Sequence, residues 1–320
     1  MNLLAILAAL GLEQWRAFAW RVAVERAFVG YARRLERQLN GGTPGQGAVA
    51  TALALAPPVL LAWLLWWAAN EVHPLLGVVL NALVLYLLMG FRRFSHALSL
   101  IIQAFKDGDI AAARRALAGW RGGWTSELGS DDIARLAIER GLVDAYRQVF
   151  AVLFWFLVLP GPIGAVLYRA TVLLAAEWQG DAIGDDTTPV LRSRAEFGRA
   201  ARGLLVLLDW IPVRLTALSF AIVGDFEDAA YCWRMQAKTW PATEGGETVG
   251  TVLASGAGAL GVHLGGPLAV LGGEPVVRPE LGTDDPVTPE ILPSAMGLVW
   301  RALVLWVVLI LLITLANVAP

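Results

Sequence analysis

Cysteine, histidine and charged side chains are scarce in this chain of 320 residues, and each shortage excludes a class of protein. Cys232 is the only cysteine, which rules out a disulfide within the chain and a cysteine-rich metal site. The three histidines, His73, His96 and His263, lie far apart in the sequence and form no pair at metal-ligand spacing. The G-x-x-x-x-G-K-[ST] and H-E-x-x-H motifs are both absent, so the sequence carries neither an ordinary P-loop nor that zinc site.

Apolar residues dominate the rest of the composition. They make up 57% of the sequence, against 16% charged residues, and the mean hydropathy is +0.59. Because soluble domains are about 25% charged, the composition predicts an integral membrane protein with the lipid bilayer as a partner. Fourteen tryptophans agree with this, since tryptophan concentrates at membrane–water interfaces. The net charge of −2 gives no electrostatic basis for binding nucleic acid.

Long uncharged windows predict the membrane-spanning helices. Four windows reach the roughly 17–25 residues that a spanning helix needs: 48–69, 74–91, 149–167 and 302–319. Two further segments are weaker candidates. The opening apolar run meets Glu13 early, and the segment LDWIPVRLTALSFAIVGDF contains Asp209, Pro212 and Arg214. The sequence therefore predicts between four and six spans.

The basic residues predict the orientation. Arginines are frequent between residues 13 and 47, and Arg92 and Arg93 directly follow the second window. The connection at 70–73 has neither lysine nor arginine. The positive-inside rule therefore places the basic loops in the cytoplasm and the 70–73 turn outside.

The pattern predicts an all-α fold, a polytopic membrane helical bundle. It has a cytoplasmic helical insertion and an irregular Gly/Pro-rich segment before the last span. Five regions follow from this: N-terminal membrane helices with a basic cytoplasmic loop (1–91), cytoplasmic amphipathic helices (92–147), broken membrane helices with a polar loop at 180–202 (148–224), a Gly/Pro-rich extramembrane segment (225–295) and a C-terminal transmembrane helix (296–320).

The stretch KDGDIAAARRAL has two interpretations. In both, Asp109 caps a new helix after a break at Lys106. In the first, the helix lays a basic face on anionic lipid. In the second, arginines hold phosphate groups and an aspartate binds Mg²⁺; the residues concerned are Arg114, Arg115, Arg121, Asp107 and Asp109.

Asp209 and Arg214 also have two interpretations. A charge within a membrane segment must face a protein interior, a water-filled pocket or the interface. The two side chains either form structural ion pairs, with each other or with other helices, or they line a binding site. On a straight helix their spacing places them about 140° apart, so direct pairing requires long side-chain reach or a break at Pro212.

Three sequence blocks, in order along the central half of the chain, resemble those of one family. Gly108-Asp109-Ile110 with the following ARRAL resembles a GDL-x-x-ARRAL helix turn. IPVRLTAL at 211–218 resembles a Y-I-P-A-R-L-T-A-L segment, and GALGVHLGGP at 258–267 resembles GALGVRLGGP, with His263 in place of arginine. The chain is identified on these blocks as resembling the cobalamin-biosynthesis CobD/CbiB family.

The resemblance implies a multipass protein of the bacterial inner membrane. It implies an enzyme that attaches aminopropanol, or its phosphate, to a carboxylate of the corrinoid adenosylcobyric acid, with ATP and Mg²⁺ as cofactors. The related AmpE proteins, which modulate β-lactamase induction, provide the alternative of a non-catalytic membrane regulator. A homo-oligomer is left open.

The chain also departs from the family pattern. The acidic run E-S-x-x-E-N-x-x-D-G begins at Glu139, but Val143, Asp144 and Arg147 replace its later glutamate, asparagine and aspartate. Whether catalysis is retained is therefore undecided by sequence, and no catalytic residue is assigned. The candidate ligand-binding residues are Asp109, Arg114, Arg115, Glu139, Asp144, Asp209, Arg214 and His263, and the candidate Mg²⁺ ligands are Asp107 and Asp109.

Overall fold

The computed structural model describes residues 2–15, 20–123, 125–179, 189–268 and 276–316. Its main helices and strands are α1 Asn2–Trp15, α2 Arg21–Leu39, α3 Pro44–Val72, α4 Pro74–Leu88, α5 Phe91–Lys106, α6 Ile110–Arg121, α7 Ser130–Ala145, α8 Ala151–Val158, α9 Ile163–Glu177, α10 Pro189–Phe197, α11 Arg199–Val223, α12 Phe226–Gln236, α13 Gly246–Leu260, β1 His263–Gly265, β2 Glu280–Gly282 and α14 Leu292–Ala316. A π-helical turn, Tyr146–Phe150, joins α7 to α8. Short 3₁₀ turns occupy Ala237–Thr239, Ala242–Glu244 and Pro289–Ile291.

The chain forms two compact units. The first unit contains Met1–Met89 and Ala151–Trp210, and the second contains Gly90–Phe150 and Ile211–Pro320. Within the described residues, five helical stretches are long and apolar enough to cross a membrane: Pro44–Val72, Pro74–Lys106, Ser130–Val158, Arg199–Val223 and Pro289–Ala316. The prediction of a polytopic membrane helical bundle is confirmed, and the segment with Asp209 and Arg214 belongs to one of these helices. The opening helix is shorter than a span.

In the first unit, small residues let helices approach closely. α3 packs against α2, α4 and α9. A Cβ added to Gly47 of α3 would lie 2.0 Å from the Phe197 carbonyl oxygen. The ring of Phe197 packs edge-on against Trp178, with 4.8 Å between ring centroids. This contact forms the centre of an apolar cluster that also includes Ala50 and Ala54.

Helix α11 continues through Pro212, although a proline removes one backbone donor. The carbonyl that loses its partner in an α-helix is the one four residues earlier, on Leu208. The indole Nε1–H of Trp155 donates to this oxygen at 3.0 Å. A side chain from α8 therefore replaces the missing backbone hydrogen bond, and the expected break at Pro212 does not occur.

In the second unit, α12 and α13 form a tightly packed helix pair. A Cβ added to Gly250 would lie 2.1 Å from the Ala237 carbonyl oxygen, and one added to Gly258 would lie 2.5 Å from the Asp228 carbonyl oxygen. Elsewhere in this unit, the Phe150 ring lies against Phe220 and Trp306.

The Gly/Pro-rich segment 225–295 is more regular in structure than the sequence predicts. α12 and α13 occupy much of its first half, and the only named strands of the described chain, β1 and β2, pair antiparallel in the second half. Gly250, Gly256 and Gly258 of α13 serve close packing rather than flexibility, because a side chain at any of them would collide with a neighbouring segment. The all-α prediction is therefore amended by one small hairpin.

The segment 180–202, predicted to be a polar loop, is also more regular than expected. α10 and the beginning of α11 are helical from Pro189 onward, with a one-residue interruption at Gly198. Arg194 and Arg202 explain how this polar sequence is held, because they donate to the carbonyls of Glu177 and Trp178 at 3.1 Å. Residues 180–188 lie outside the described residues. A turn at 159–162 separates α8 from α9, and α7 begins at Ser130.

Replacing Gly250 by alanine should destabilise the protein. The added methyl group collides with a backbone carbonyl, and overpacking of this kind costs about 1–3 kcal/mol. We expect a lower apparent melting temperature in detergent. The control is Gly119→Ala in the exposed part of α6, where nothing lies within 4 Å of the new Cβ; it should raise stability by about 0.4–1 kcal/mol. Equal melting temperatures for both variants would contradict the packing argument.

The contact between Trp155 and Leu208 generates a second test. Trp155→Phe leaves the Leu208 carbonyl without its donor and should cost about 1–3 kcal/mol. In a Pro212→Ala background the backbone N–H at position 212 is restored, so the same change should cost less. Melting temperatures of the four proteins measure this coupling. Purely additive losses would show that Trp155 does not replace the missing donor.

Candidate functional site

A buried ion pair lies at the centre of the second unit. Glu139 of α7 and Arg278, which precedes β2, are both buried. Arg278 Nη1 donates to Glu139 Oε2 at 2.8 Å, and Arg278 Nη2 donates to Oε1 at 3.1 Å. This bidentate geometry is the strong form of an arginine–carboxylate contact. It links two parts of the chain 139 residues apart.

The ion pair also holds the Gly-Gly-Pro end of the GALGVHLGGP block. The Gly265 N–H donates to Glu139 Oε1 at 2.9 Å, and Arg278 Nε donates to the Gly266 carbonyl at 3.2 Å. Arg135 of α7 donates to the carbonyls of Gly265 and, at 2.9 Å, Pro267. Gly265 and Gly266 have φ angles of +80° and +72°, which other residues rarely adopt. The glycines are required by the backbone path that these side chains fix.

Arg278 makes further contacts on its other side. Its guanidinium lies 5.3 Å from the centroid of the Trp240 ring, within cation–π range. The carboxylate of Glu244 lies 3.7 Å from Arg278 Nη1 and is partly exposed. Arg278 is therefore enclosed by two carboxylates, an aromatic face and backbone carbonyls.

Two more arginines adjoin this cluster. The pKa of Arg121 is lowered overall, mainly because the side chain is buried. The charge of Glu139 opposes this shift, and the charge of Arg278 adds to it. Arg147 lies beside Gly245, with Nη2 3.5 Å from where a Cβ on that glycine would stand. The Nε–H of Arg147 is buried and finds no hydrogen-bond partner among the residues that the structure describes. We call the set Arg121, Glu139, Arg147, Glu244 and Arg278 the polar cluster; it has three cations and two carboxylates.

Asp144, a candidate site residue, lies on the same helix as Glu139 but has its own partners. The Trp120 indole N–H donates to Asp144 Oδ2 at 2.9 Å, and Arg140 Nε donates to the same oxygen at 3.1 Å. Asp144 is buried. Its contacts join α7 to α6, so its carboxylate has a clear structural role.

The residues of the KDGDIAAARRAL turn lie mostly at the surface. Asp109 is the predicted N-cap of α6, since its Oδ1 accepts from the Ala112 N–H at 2.8 Å. Arg115 is exposed and lies 3.7 Å from Asp109. Arg114 Nε donates to the Leu128 carbonyl at 2.9 Å, and Asp107 Oδ1 accepts from Gln103 at 2.9 Å. In the part of the chain that the structure describes, no three His, Cys, Asp or Glu side chains gather as metal ligands.

Asp209 and Arg214 have partners in different parts of the fold. Asp209 is buried and accepts from the Tyr168 hydroxyl at 2.8 Å. Arg214 is 40% exposed and lies 4.0 Å from Glu247 of α13. His263 is in β1; its Nε2 is buried, lies 3.8 Å from Glu280 and forms no hydrogen bond within the described part of the chain. Of the residues singled out from the sequence as ligand candidates, Glu139 and Arg121 belong to the polar cluster.

Sequence reasoning missed Arg278, Trp240 and Glu244. All three lie in or near the segment interpreted as irregular, outside the family blocks. A usable signal existed for Arg278, because it is the only lysine or arginine between residues 239 and 300. An arginine in a glycine-rich, apolar segment either lies at the surface or is buried beside a group of opposite charge.

Comparison with known proteins gives consistent matches. The sequence model of a family described as "CobD/Cbib protein" matches residues 6–299. The "Cobalamin biosynthesis protein CobD" of Stutzerimonas stutzeri is 37% identical over 314 residues, which cover 96% of each chain. The protein of the same name from Chromobacterium violaceum is 38% identical over 298 residues, or 88% of each chain. No solved structure matches the chain significantly.

Separating the two charges of the central ion pair should be costly. Glu139→Leu or Arg278→Met alone leaves a buried charge without its partner, which costs about 3–5 kcal/mol. The double variant removes both charges and should be more stable than either single variant. Apparent melting temperature and the monodisperse fraction on size exclusion measure this.

The matched control is the exposed pair of Glu196 and Arg199, 3.3 Å apart. Glu196→Leu and Arg199→Met should each cost at most about 1 kcal/mol. If the double variant of the buried pair lost as much as both single variants added together, the two charges would not be energetically coupled.

Proposed function

The chain belongs to the CobD/CbiB family, and we propose that it is the membrane enzyme that joins aminopropanol, or its phosphate, to a carboxylate of adenosylcobyric acid. The product is an amide, adenosylcobinamide or its phosphate. The relatives named above are cobalamin biosynthesis proteins, which supports a corrinoid substrate. We place the protein in the bacterial inner membrane, with the arginine-rich loops in the cytoplasm.

The observation that supports this proposal most is the unused donor of Arg147. A buried N–H without a partner costs free energy unless a ligand supplies an acceptor. The polar cluster has more cations than carboxylates, so the acceptor that fits best is an anion. A phosphate group, carried by aminopropanol phosphate or by a nucleotide, has several acceptor oxygens and forms charge-assisted hydrogen bonds with arginine.

A carboxylate does not condense with an amine in water unless it is activated. ATP with Mg²⁺ would supply that activation when bound, by making the carboxylate oxygen a better leaving group. Arg121 and Arg147 would hold its phosphates. The glycine loop, Gly265 to Pro267, would orient the reacting group because its backbone is fixed by Glu139, Arg135 and Arg278.

The described residues do not form a site built from protein ligands alone for Mg²⁺. This fits the usual behaviour of the ion, which takes one or two carboxylates and obtains its other ligands from phosphates and water. Asp107 and Asp109, the carboxylates predicted from sequence for this role, precede α6, whereas Arg121 ends that helix about 18 Å along its axis. A metal held by the two aspartates would therefore not share the phosphates that Arg121 would hold. Each aspartate already accepts one hydrogen bond, and a carboxylate has capacity for about four.

The replacements Val143 and Arg147 leave one functional question for experiment. They remove two carboxylates that the family pattern places beside Glu139, and this is the feature that favours a non-catalytic, AmpE-like regulator. The proposal attributes a new role to Arg147, contact with phosphate, in place of the lost aspartate. The test therefore centres on this residue.

Complementation decides between the two functions. The chain should restore growth of a corrinoid-synthase-null strain supplied with cobyric acid, and purified protein should form the amide product, detected by mass spectrometry. Arg147→Met should lower kcat/KM about tenfold to a hundredfold, because a charged hydrogen bond contributes about 1.5–3 kcal/mol. The control, Arg301→Met, removes an exposed arginine of the same unit that bonds only locally.

Absence of growth despite good membrane expression would overturn the enzymatic proposal and favour the regulatory function. Growth that persists unchanged in the Arg147→Met strain, with an unchanged kcat/KM, would keep the activity but remove Arg147 from the site.

A further inference from the structure

The first unit contains a cavity of about 240 Å³ that the proposed function does not use. Its walls come from α2, α3, α4 and α9, and they are almost entirely apolar. Leu61, Leu65, Val84, Leu87 and Leu173 are typical of this lining. Ligand pockets for drug-sized molecules are about 300–1,000 Å³, so the cavity is too small for a corrinoid. It has the size and character for part of a hydrocarbon chain.

One end of the cavity is polar and carries charges of both signs. Arg21, Glu25 and Arg169 line it. Arg169 Nη2 donates to Glu25 Oε1 at 2.6 Å, and Arg21 Nη2 donates to Glu13 Oε1 at 3.0 Å. The four side chains form two ion pairs, so the polar end is neutral overall.

Arg21 is fixed in place by a helix end. It donates from Nε to the Leu87 carbonyl at 2.8 Å and from Nη2 to the Tyr86 carbonyl at 2.7 Å. Carbonyls in the last turn of an α-helix such as α4 have no partner within the helix. Arg21 therefore stabilises the end of α4, while Arg169 remains the arginine available to a ligand.

Arg169 has an unused donor. The residue is 8% exposed, and its Nε–H is buried and forms no hydrogen bond with any described residue. Glu25 is more accessible, with 19% of its side chain exposed. The polar end thus presents an N–H that needs an acceptor beside a carboxylate that attracts a cation.

The mouth of the cavity lies on a lipid-facing surface. Leu61 and Leu65 are 57% and 49% exposed, and both belong to α3, a helix long and apolar enough to span the membrane. Exposed leucines on such a helix contact acyl chains. A ligand can therefore enter from the bilayer without crossing water.

We propose that this cavity binds one phospholipid with a zwitterionic ethanolamine headgroup. A phosphate oxygen accepts from Arg169 Nε, the ammonium lies against Glu25, and part of an acyl chain fills the apolar walls. The neutral polar end selects this headgroup over an anionic one, since a net negative head would bring an unbalanced charge beside Glu13 and Glu25. The site is separate from the polar cluster, and the inference does not rest on the proposed function.

Lipid competition on the full-length protein tests this inference. The protein is delipidated in mild detergent and then equilibrated with equimolar phosphatidylethanolamine, phosphatidylcholine and phosphatidylglycerol. Native mass spectrometry counts the retained lipid. We expect one phosphatidylethanolamine per chain, retained at least about tenfold over the other two, because choline lacks N–H donors and glycerol lacks the cation.

Three variants locate the binding. Arg169→Lys keeps the positive charge beside Glu25 but removes the Nε–H, and it should reduce retention about tenfold. Ala62→Trp places a large ring in the cavity wall and should abolish retention. Leu64→Trp, on an exposed face of the same helix and away from the lining, is the matched control and should retain lipid normally.

Several results would overturn the inference, and the first two need only the wild-type protein. Equal retention of phosphatidylglycerol would refute the headgroup selection. Displacement of the lipid by millimolar free phosphoethanolamine or aminopropanol phosphate would show that the site recognises a soluble amino-alcohol phosphate instead. Unchanged retention in a folded Ala62→Trp protein would place the lipid elsewhere.

Discussion

The buried contact between Glu139 and Arg278 is the constraint on which the second unit depends. Removing either charge from water alone costs several kcal/mol, so each residue can be buried only with the other. Their remaining hydrogen-bonding capacity is directed to the backbone of Gly265 and Gly266. The position of the glycine loop is therefore set by an ion pair on α7. A ligand that competes for Arg278 would also change the loop that is held beside it.

Close helix packing makes this contact possible. α13 is followed by its C-cap Gly261, with a left-handed φ of +66°, and then by β1, whose last residue begins the glycine loop. Gly250 and Gly258 allow α13 to lie against the backbone at Ala237 and Asp228. With larger residues at these positions α13 would stand further from α12, and the loop would shift relative to Glu139. The spacing between these helices therefore also determines where the glycine loop lies relative to the charged groups of the site.

The long apolar helices and the cap at Asp109 could be predicted because each depends on a short stretch of sequence. A spanning helix needs an uncharged run as long as the bilayer is thick, and a helix start needs a side chain that accepts from its unpaired N–H groups. Resemblance to known blocks then identified Glu139. α13 was missed because glycine weakens an isolated helix by about 1 kcal/mol, and only tertiary packing offsets that. Arg278 was missed because its partner lies 139 residues away, which no local pattern reveals. The continuation of α11 through Pro212 was missed for the same reason, because it depends on a donor from Trp155, which is distant in sequence.

The buried arginines of the two units imply different ligands. In the first unit Arg21 and Arg169 are each matched by a carboxylate, so only a neutral or zwitterionic headgroup binds without leaving a net charge buried. In the second unit the polar cluster has one more cation than carboxylates, and the unused donor belongs to Arg147. A bound anion would both neutralise that excess and accept from the donor, as the proposed function requires. Under the two proposals, arginine would recognise a zwitterionic lipid in one unit and a phosphate group in the other, and the number of nearby carboxylates would decide which ligand binds.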